Sequence, residues 1–380
     1  MPKKNQKSLC VYTKTNGEKK DVRMSVHRKF LLFRYFNKAF TDQIEIPKIE
    51  INLEPNDLKI VYKSVLLSYL SYKDRTKIVF SEKCKIEFES SISEVGKVPF
   101  FIMNDDKINV IFIVCRGSSC MDDFITDSMG SGISYENGKV HQGVFNTAKF
   151  VYEESLETIQ NLHKSYPDRR IICTGHSLGA AVAAVVTFFH YKENKDFNMQ
   201  CYCFAPPPTL NFDLWQLSGH RIFSFMIEGD FVPFLSVQNI LNLTQILIPN
   251  QKIKNLISRF VHQYLSKKML ELNNEQMQQE DHQTMYPPGQ LYLIRFDESN
   301  DDLKICHLLN PNYFTSFPKD IQETNHKCKN YLKCMITLIY KQKEEKKTLN
   351  KLQKKEGKNL TTQENSKNQN SESTKTKGEK

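Results

Sequence analysis

The hydrophobic positions of this chain change their spacing repeatedly between residues 57 and 340. A pattern of helical spacing begins at residue 57, and two apolar runs of strand length follow it. Further segments then alternate: a helix at about 144–165, a strand at 170–174, a helix at 177–191, and strands at 199–204 and 221–228. This alternation predicts βαβ units, and therefore an α/β protein with a mostly parallel central sheet and helices on both of its faces.

Three parts of the chain do not follow this alternation. Residues 1–56 form an N-terminal extension of uncertain structure, whereas residues 57–340 form the domain itself. Residues 235–285 interrupt the domain as an insertion that contains two helical patterns, the second of them basic and amphipathic. A last helix is expected at about 329–342, and residues 341–380 are rich in Lys, Asn, Ser, Thr and Gln. That composition predicts a basic, largely disordered tail.

The charge of the chain is concentrated in this tail. The composition, with 39% hydrophobic and 25% charged residues, is typical of a globular protein. The formal net charge is +10, but the last 40 residues hold 12 Lys and 6 Glu, which leaves only +4 for the other 340 residues. The folded part is therefore only mildly basic, and the sequence gives no reason to expect nucleic-acid binding.

Neither a secretory signal nor a membrane-spanning segment is apparent in the sequence. The first eight residues, MPKKNQKS, are polar, and the longest apolar run, 180–189, is far shorter than the roughly 20 residues that a spanning helix needs. Ten cysteines in such a chain indicate reduced thiols. Cys201 and Cys203 are expected to be buried together, because no nearby Cys or His completes a metal ligand set. These features predict a cytoplasmic protein without a transmembrane segment.

The strongest chemical signal is Gly175-His176-Ser177-Leu178-Gly179, between an apolar strand and an Ala-rich helix. A sharp turn from strand to helix presents a serine hydroxyl at the carboxyl end of the sheet, and small flanking residues make that turn possible. The start of the following helix offers free backbone N–H groups to a developing oxyanion. The pattern therefore predicts that Ser177 is a nucleophile and that the N–H of Leu178 is one donor of an oxyanion hole.

Together with other short motifs, this segment resembles the class 3 (fungal-type) lipases. The motifs that carry the resemblance are CRGSS (115–119) with DFITD (123–127), VHQG (140–143), GHSLGA (175–180), CFAPP (203–207), GDFVP (229–233), YPPG (286–289) and His326 with Tyr331. The segment CFAPP is closer to the sn-1-specific diacylglycerol lipase branch than to the secreted fungal enzymes. The resemblance extends over roughly residues 57–340 and implies an α/β-hydrolase fold with a helical, lid-like insertion.

The resemblance also implies the remaining site residues. Asp230 is expected as the acid of a catalytic triad, His326 as its base, and Ser118 as the second oxyanion donor. The order Ser, acid, His agrees with this fold, but Asp213 and His307 stay open as alternatives from the residues alone. The family usually has Asp immediately before the base, where this chain has Asn325. Such a site uses no metal and no organic cofactor.

Apolar residues near the predicted site are candidates for an acyl-chain pocket. They are Met121, Phe124 and Phe231. The alternative is that most of them are core residues, and for Phe231 the two interpretations are equally favoured. The basic amphipathic pattern in the insertion could lie on an anionic bilayer, or form a solvated surface helix. The expected function is a serine-dependent lipase that acts on glycerolipid esters at a membrane surface, cytoplasmic and peripheral on membranes or lipid droplets. A phospholipase, a soluble-ester esterase and an inactive membrane-associated scaffold are the alternatives.

Overall fold

The structure is a computed structural model of the chain. It describes residues 48–74, 78–118, 132–236, 238–239, 284–297, 302–318, 321, 323–348 and 350, together with two short paired strands near the N-terminus. Several expectations therefore lie outside the described residues. These are Met121, Phe124, the two helical patterns of the insertion and the chain after residue 350.

Nine of the strands in the described residues form one sheet, in the order β3-β13-β12-β11-β10-β9-β6-β5-β4. The strands are β1 (Tyr12–Thr15), β2 (Glu18–Asp21), β3 (Lys48–Ile51), β4 (Cys84–Ser90), β5 (Phe100–Asp105), β6 (Val110–Cys115), β7 (Gly132–Tyr135), β8 (Gly138–His141), β9 (Arg170–His176), β10 (Met199–Phe204), β11 (Ile222–Ile227), β12 (Gln290–Asp297) and β13 (Asp302–Leu308). The central strands β6, β9, β10, β11 and β12 run parallel. Two antiparallel strands flank this centre on each side.

Helices cover both faces of the sheet, because the central strands are apolar on both sides. The helices are α1 (Pro55–Leu70), α2 (Gln142–Ser165), α3 (Leu178–Glu193), α4 (Phe212–Ser218) and α5 (residues 328–348). In β6, Ile111 and Ile113 face the core formed with α2 and α3. Phe112 and Val114, one residue out of phase, face the core formed with α1 and α5. This two-sided burial explains the continuous apolar strands, and it confirms the predicted fold class.

The structure adds elements that the hydrophobic pattern did not reveal. The edge strand β4 alternates apolar and charged residues, and the short hairpin of β7 and β8 is only partly buried. Both therefore lack the apolar runs that identify the central strands. The helix α5 takes in residues 341–348, where Lys341 pairs with Asp302 at 2.7 Å. No helix among the described residues combines the length and the apolar composition that crossing a bilayer requires.

Candidate active site

Ser177 lies in the turn between β9 and α3, in a backbone conformation that side-chain-bearing residues rarely adopt (φ 60°, ψ −131°). Two glycines make this turn possible. A Cβ on Gly175 would overlap the backbone of Gly179, and a Cβ on Gly179 would overlap the backbone of Cys115 and Arg116. The strand, turn and helix therefore pack at a distance that only glycine permits, and the serine hydroxyl is held at the carboxyl end of β9.

A histidine from a distant segment meets this hydroxyl. His326 ends a short 3₁₀ turn, Glu323–His326, and its Nε2 lies 2.9 Å from Ser177 Oγ. Its Nδ1 lies 3.1 Å from each carboxylate oxygen of Asp230. All three side chains are buried, Asp230 completely. The three groups thus form a continuous hydrogen-bonded chain from hydroxyl to carboxylate, in which the imidazole can accept the serine proton.

The Asp230 carboxylate has two further donors besides His326. The Tyr331 hydroxyl, from α5, donates to Oδ2 at 2.6 Å, and the Val232 N–H donates to Oδ1 at 3.0 Å. Burial by itself would raise the pKa of Asp230, but the charge and hydrogen bond of His326, with these two donors, lower it below its usual value. The carboxylate is therefore ionised at neutral pH and can stabilise a protonated His326.

Tyr331 is held as a donor in this arrangement. Burial and the neighbouring negative charge of Asp230 raise the pKa of the Tyr331 hydroxyl well above its usual value, so that it keeps its proton. Its oxygen also accepts from the Ile227 N–H at 3.0 Å, at the end of β11. The sequence showed Tyr331 only as part of a motif. The contact with Asp230 could not be predicted, because the two residues are 101 positions apart.

The remaining predicted site residues are Leu178, Ser118 and Phe231. Leu178 is the first residue of α3, where a helix N–H has no acceptor within the helix itself. Ser118 follows β6 and is half-buried. It adjoins Gly117, which packs so closely that a Cβ there would lie 3.3 Å from Ser177 Cβ. Phe231 is buried and packs edge-on against the ring of His326, with centroids 5.8 Å apart.

The two alternative residues lie elsewhere. Asp213 is in the first turn of α4, where it accepts a hydrogen bond from the Asn211 side chain at 2.9 Å. His307 is in β13, with its ring 5.1 Å from that of Tyr292. Four strand spacings separate β13 from β9, which is roughly 19 Å at about 4.8 Å per strand. The structure thus brings Ser177, His326 and Asp230 together and places neither alternative with them.

A serine on a strand-to-helix turn of a mostly parallel sheet, followed in sequence by the acid and then the histidine, is the arrangement of the α/β-hydrolase fold. Comparison with known proteins agrees. Residues 112–240 match the family described as Lipase (class 3). A Rhizomucor miehei lipase in complex with its propeptide superposes with a TM-score of 0.52 at 20% identity, over 75% of this chain and 83% of that one. The protein has an α/β-hydrolase fold, and its segment 112–240 is similar to the class 3 lipases.

Two relatives in sequence are lipases by name. The diacylglycerol lipase-beta of Mus musculus is 24% identical over 183 residues, which cover 46% of this chain and 25% of that protein. The lipase of Rhizomucor miehei is 32% identical over 97 residues, covering 25% of this chain and 27% of that protein. The chain thus spans about a quarter of the length of each of these relatives.

Proposed function

We propose that this protein is a serine-dependent lipase that hydrolyses carboxylic ester bonds of glycerolipids through an acyl-enzyme on Ser177. The observation that carries the proposal is the short path from Ser177 Oγ to His326 Nε2 (2.9 Å) and from His326 Nδ1 to Asp230 (3.1 Å). A buried hydroxyl, imidazole and carboxylate in this order are the groups that nucleophilic acyl transfer requires.

In the first step, His326 acts as the general base and Ser177 as the nucleophile. Nε2 takes the hydroxyl proton as Oγ attacks the ester carbonyl carbon, and Asp230 stabilises the imidazolium without taking a proton itself. Because Asp230 is ionised and accepts from Nδ1, it holds His326 in the tautomer whose Nε2 is free to accept. The tetrahedral intermediate collapses when His326 donates its proton to the leaving alcohol.

The negative oxygen of the intermediate needs hydrogen-bond donors on the far side of the nucleophile. The N–H of Leu178 is one, since it begins α3 directly after Ser177. The N–H and hydroxyl of Ser118 are the second, because Gly117, directly before Ser118, packs against the nucleophile turn. Removal of one such donor typically costs about 3–4 kcal/mol of transition-state stabilisation.

A water molecule then cleaves the acyl-enzyme, with His326 again serving first as base and then as acid. The acyl chain of the ester is assigned to the apolar side of the site. Phe231, which packs against the His326 ring, belongs to this pocket, and Met121 and Phe124 are proposed as its further members. Apart from the ester and the water molecule, these steps use only side chains and backbone groups of the chain itself.

The substrate class rests on the family and on its named relatives, among them a diacylglycerol lipase. Because glycerolipids are contained in membranes and lipid droplets, the enzyme would act at their surface. A reducing, cytoplasmic environment is supported by the thiols. The eight cysteines of the described residues are all free, and Cys201 Sγ lies 3.4 Å from Cys203 Sγ without a disulfide bond.

Labelling with a fluorophosphonate probe tests the nucleophile. The wild-type protein should react covalently at one residue, and Ser177→Ala should not react at all while keeping the same thermal unfolding midpoint. Mass spectrometry of the labelled protein should place the adduct on Ser177. An unlabelled, folded wild-type protein would favour the inactive scaffold instead.

A substrate panel then separates the remaining alternatives. Monoacylglycerol, diacylglycerol, triacylglycerol, phosphatidylcholine and a short-chain p-nitrophenyl ester should be supplied in the same mixed micelles. The proposal expects the highest kcat/KM on mono- or diacylglycerol. A preference for phosphatidylcholine would reassign the enzyme as a phospholipase, and activity confined to the soluble ester would make it an esterase.

A further inference from the structure

A second histidine, His176, lies directly against the base but is not part of the chain from hydroxyl to carboxylate. It precedes Ser177 in sequence, and its side chain is 5% exposed. Its Nε2 is 2.7 Å from the backbone carbonyl oxygen of His326, and the two imidazole rings lie 4.7 Å apart. The residue next to the nucleophile is thus hydrogen-bonded to the backbone of the residue that activates the nucleophile.

The partners of His176 determine its protonation. A carbonyl oxygen can only accept, so Nε2 must bear a hydrogen and donate it to His326. Burial, followed by the positive charge of His326, lowers the pKa of His176 to about 3, so the ring is neutral and Nδ1 is an acceptor. The Tyr72 hydroxyl lies 3.1 Å from Nδ1 and 3.2 Å from the His176 carbonyl oxygen.

Tyr72 is suited to be a permanent donor at this position. It lies just after the end of α1, and burial, its largest influence, raises the pKa of its hydroxyl above the usual value. Its single proton therefore remains available, shared between Nδ1 and the carbonyl oxygen of His176, and a donor beside Nδ1 favours the hydrogen of the neutral ring on Nε2. Tyr72 also packs against Gly117, so one hydroxyl contacts both the nucleophile turn and the segment that leads to Ser118.

The backbone of His326 needs such a connection, because its segment is short and irregular. The 3₁₀ turn Glu323–His326 is attached to the end of β11 through the Asn325 side chain, which donates to the Glu228 carbonyl oxygen at 2.9 Å. Asp230 orients the imidazole ring but does not hold the His326 backbone. The bond from His176 links this backbone to the residue directly before Ser177, and so it connects the two segments whose Nε2 and Oγ atoms lie 2.9 Å apart.

We propose that His176 is a positioning residue for the hydrolytic reaction: it sets the distance between nucleophile and base by holding the His326 carbonyl, and Tyr72 fixes the tautomer in which it can do so. The inference rests on the proposed function, since it assigns a role within the same site. A neutral ring also places no second positive charge beside His326 when that residue takes the serine proton.

Two amide substitutions at one position test this role. In His176→Gln the side-chain nitrogen reaches the place of Nε2 and can still donate to the His326 carbonyl, whereas in His176→Asn the nitrogen reaches only the place of Nδ1. With a soluble short-chain p-nitrophenyl ester, His176→Asn should lower kcat by about 30-fold with KM changed less than twofold. His176→Gln should recover most of that loss, to within about fivefold of wild type.

A control histidine separates positioning from general burial. His190 lies on α3 and is fully buried. Its Nε2 is 3.1 Å from the hydroxyl oxygen of Ser155, which lies on α2. His190→Asn should lower the thermal unfolding midpoint but leave kcat within twofold of wild type. If His190→Asn and His176→Asn lower kcat by the same factor, the loss is a general effect of replacing a buried histidine, and the positioning role of His176 is contradicted.

The possible outcomes distinguish this inference from the proposed function. Equal kcat values for the Gln and Asn variants would overturn the positioning role even if the wild type is fully active. A wild type that neither hydrolyses esters nor reacts with fluorophosphonate would overturn the proposed function instead. If neither His176 variant folds, Tyr72→Phe decides: it should lower kcat by about threefold at constant KM, and an unchanged kcat contradicts the proposal.

Discussion

The nucleophile and the acid–base pair are positioned in two physically different ways. The nucleophile lies in one continuous segment, where β9, the turn and α3 follow each other directly. Its geometry is fixed by contact between backbone atoms, since Gly175 and Gly179 leave no room for a Cβ. The pair of Asp230 and His326 comes from segments 96 residues apart and is held by hydrogen bonds.

Because of this difference, the nucleophile turn and the acid–base pair should respond differently to substitution. Closely packed backbone atoms leave no space for an added atom, so a larger residue at a glycine of the nucleophile turn disrupts the turn as a whole. Hydrogen bonds contribute about 0.5–1.5 kcal/mol each, so the acid–base half can be weakened one bond at a time. A substitution at a glycine of the first region should therefore disrupt the folding of the whole turn. A substitution in the second region should remove activity, or a limited part of the stability, through the loss of individual bonds.

The largest effect is expected from Asp230→Asn. The amide keeps the shape of the side chain, but it favours the wrong tautomer of His326 and cannot stabilise the imidazolium. The value of kcat on a short-chain ester should fall by about 10⁴, with KM and the thermal midpoint close to wild type. Unfolding of this variant in place of inactivation would show that the acid–base half is as rigidly packed as the nucleophile turn.

The second effect is on folding, through Gly179→Ala. The added Cβ would overlap the backbone of Cys115 and Arg116, so the free energy of unfolding should fall by about 3 kcal/mol or more. Gly219→Ala is the matched control, because its nearest neighbours would lie 3.9 Å away and its backbone is helical. Urea denaturation of both variants measures the contrast, and equal stabilities would refute the steric account of the turn.

An intermediate effect, dependent on pH, is expected from Tyr331→Phe. Loss of the hydroxyl removes a bond that lowers the pKa of Asp230, so that pKa rises. A carboxylate with a lowered pKa contributes stability above its unfolded pKa of about 3.9 and loses it as the pH falls through the folded pKa. The variant should therefore be about 2 kcal/mol less stable at pH 7, and the difference should narrow below pH 4.

Urea unfolding between pH 7 and pH 3 measures this difference. It should not vanish at low pH, because the lost bond to the Ile227 N–H does not depend on Asp230. Tyr340→Phe, on the same helix but 64% exposed, serves as the control and should match wild type throughout. If the difference in the free energy of unfolding between Tyr331→Phe and wild type is the same at every pH, Tyr331 does not influence the pKa of Asp230.

The smallest effect is expected at Asn325, where the resemblance led to an expectation of Asp. Asn325→Asp cannot donate to the Glu228 carbonyl oxygen, and the free energy of unfolding should fall by about 1 kcal/mol. Asn330→Asp removes an exposed bond to the Thr324 carbonyl oxygen and should change stability by less than about 0.5 kcal/mol. A more stable Asn325→Asp would show that this bond does not hold the His326 segment.

Most of the sheet could be predicted because its strands are apolar on both faces. The runs at 110–115 and 170–174 correspond to β6 and β9, and the predicted helix at 177–191 corresponds to α3. The edge strand β4 was missed because the prediction followed continuous apolar runs, although the alternation of apolar and charged residues in β4 is itself typical of a half-buried strand. The helix at 329–342 extends to 348, since contacts such as that between Lys341 and Asp302 stabilise a segment whose composition resembles a tail.

By itself, the sequence determined the nucleophile turn, because strand, glycines, serine and helix are contiguous and their fit is local. It also named Asp230 and His326, but only through the order of motifs. Tertiary structure alone decided that His326 meets both Ser177 and Asp230, that Tyr331 donates to the carboxylate, and that His176, itself in contact with Tyr72, reaches the His326 backbone. The physical reason is that a hydrogen bond depends on tenths of an ångström between segments up to 150 residues apart, and hydrophobic periodicity carries no information at that distance.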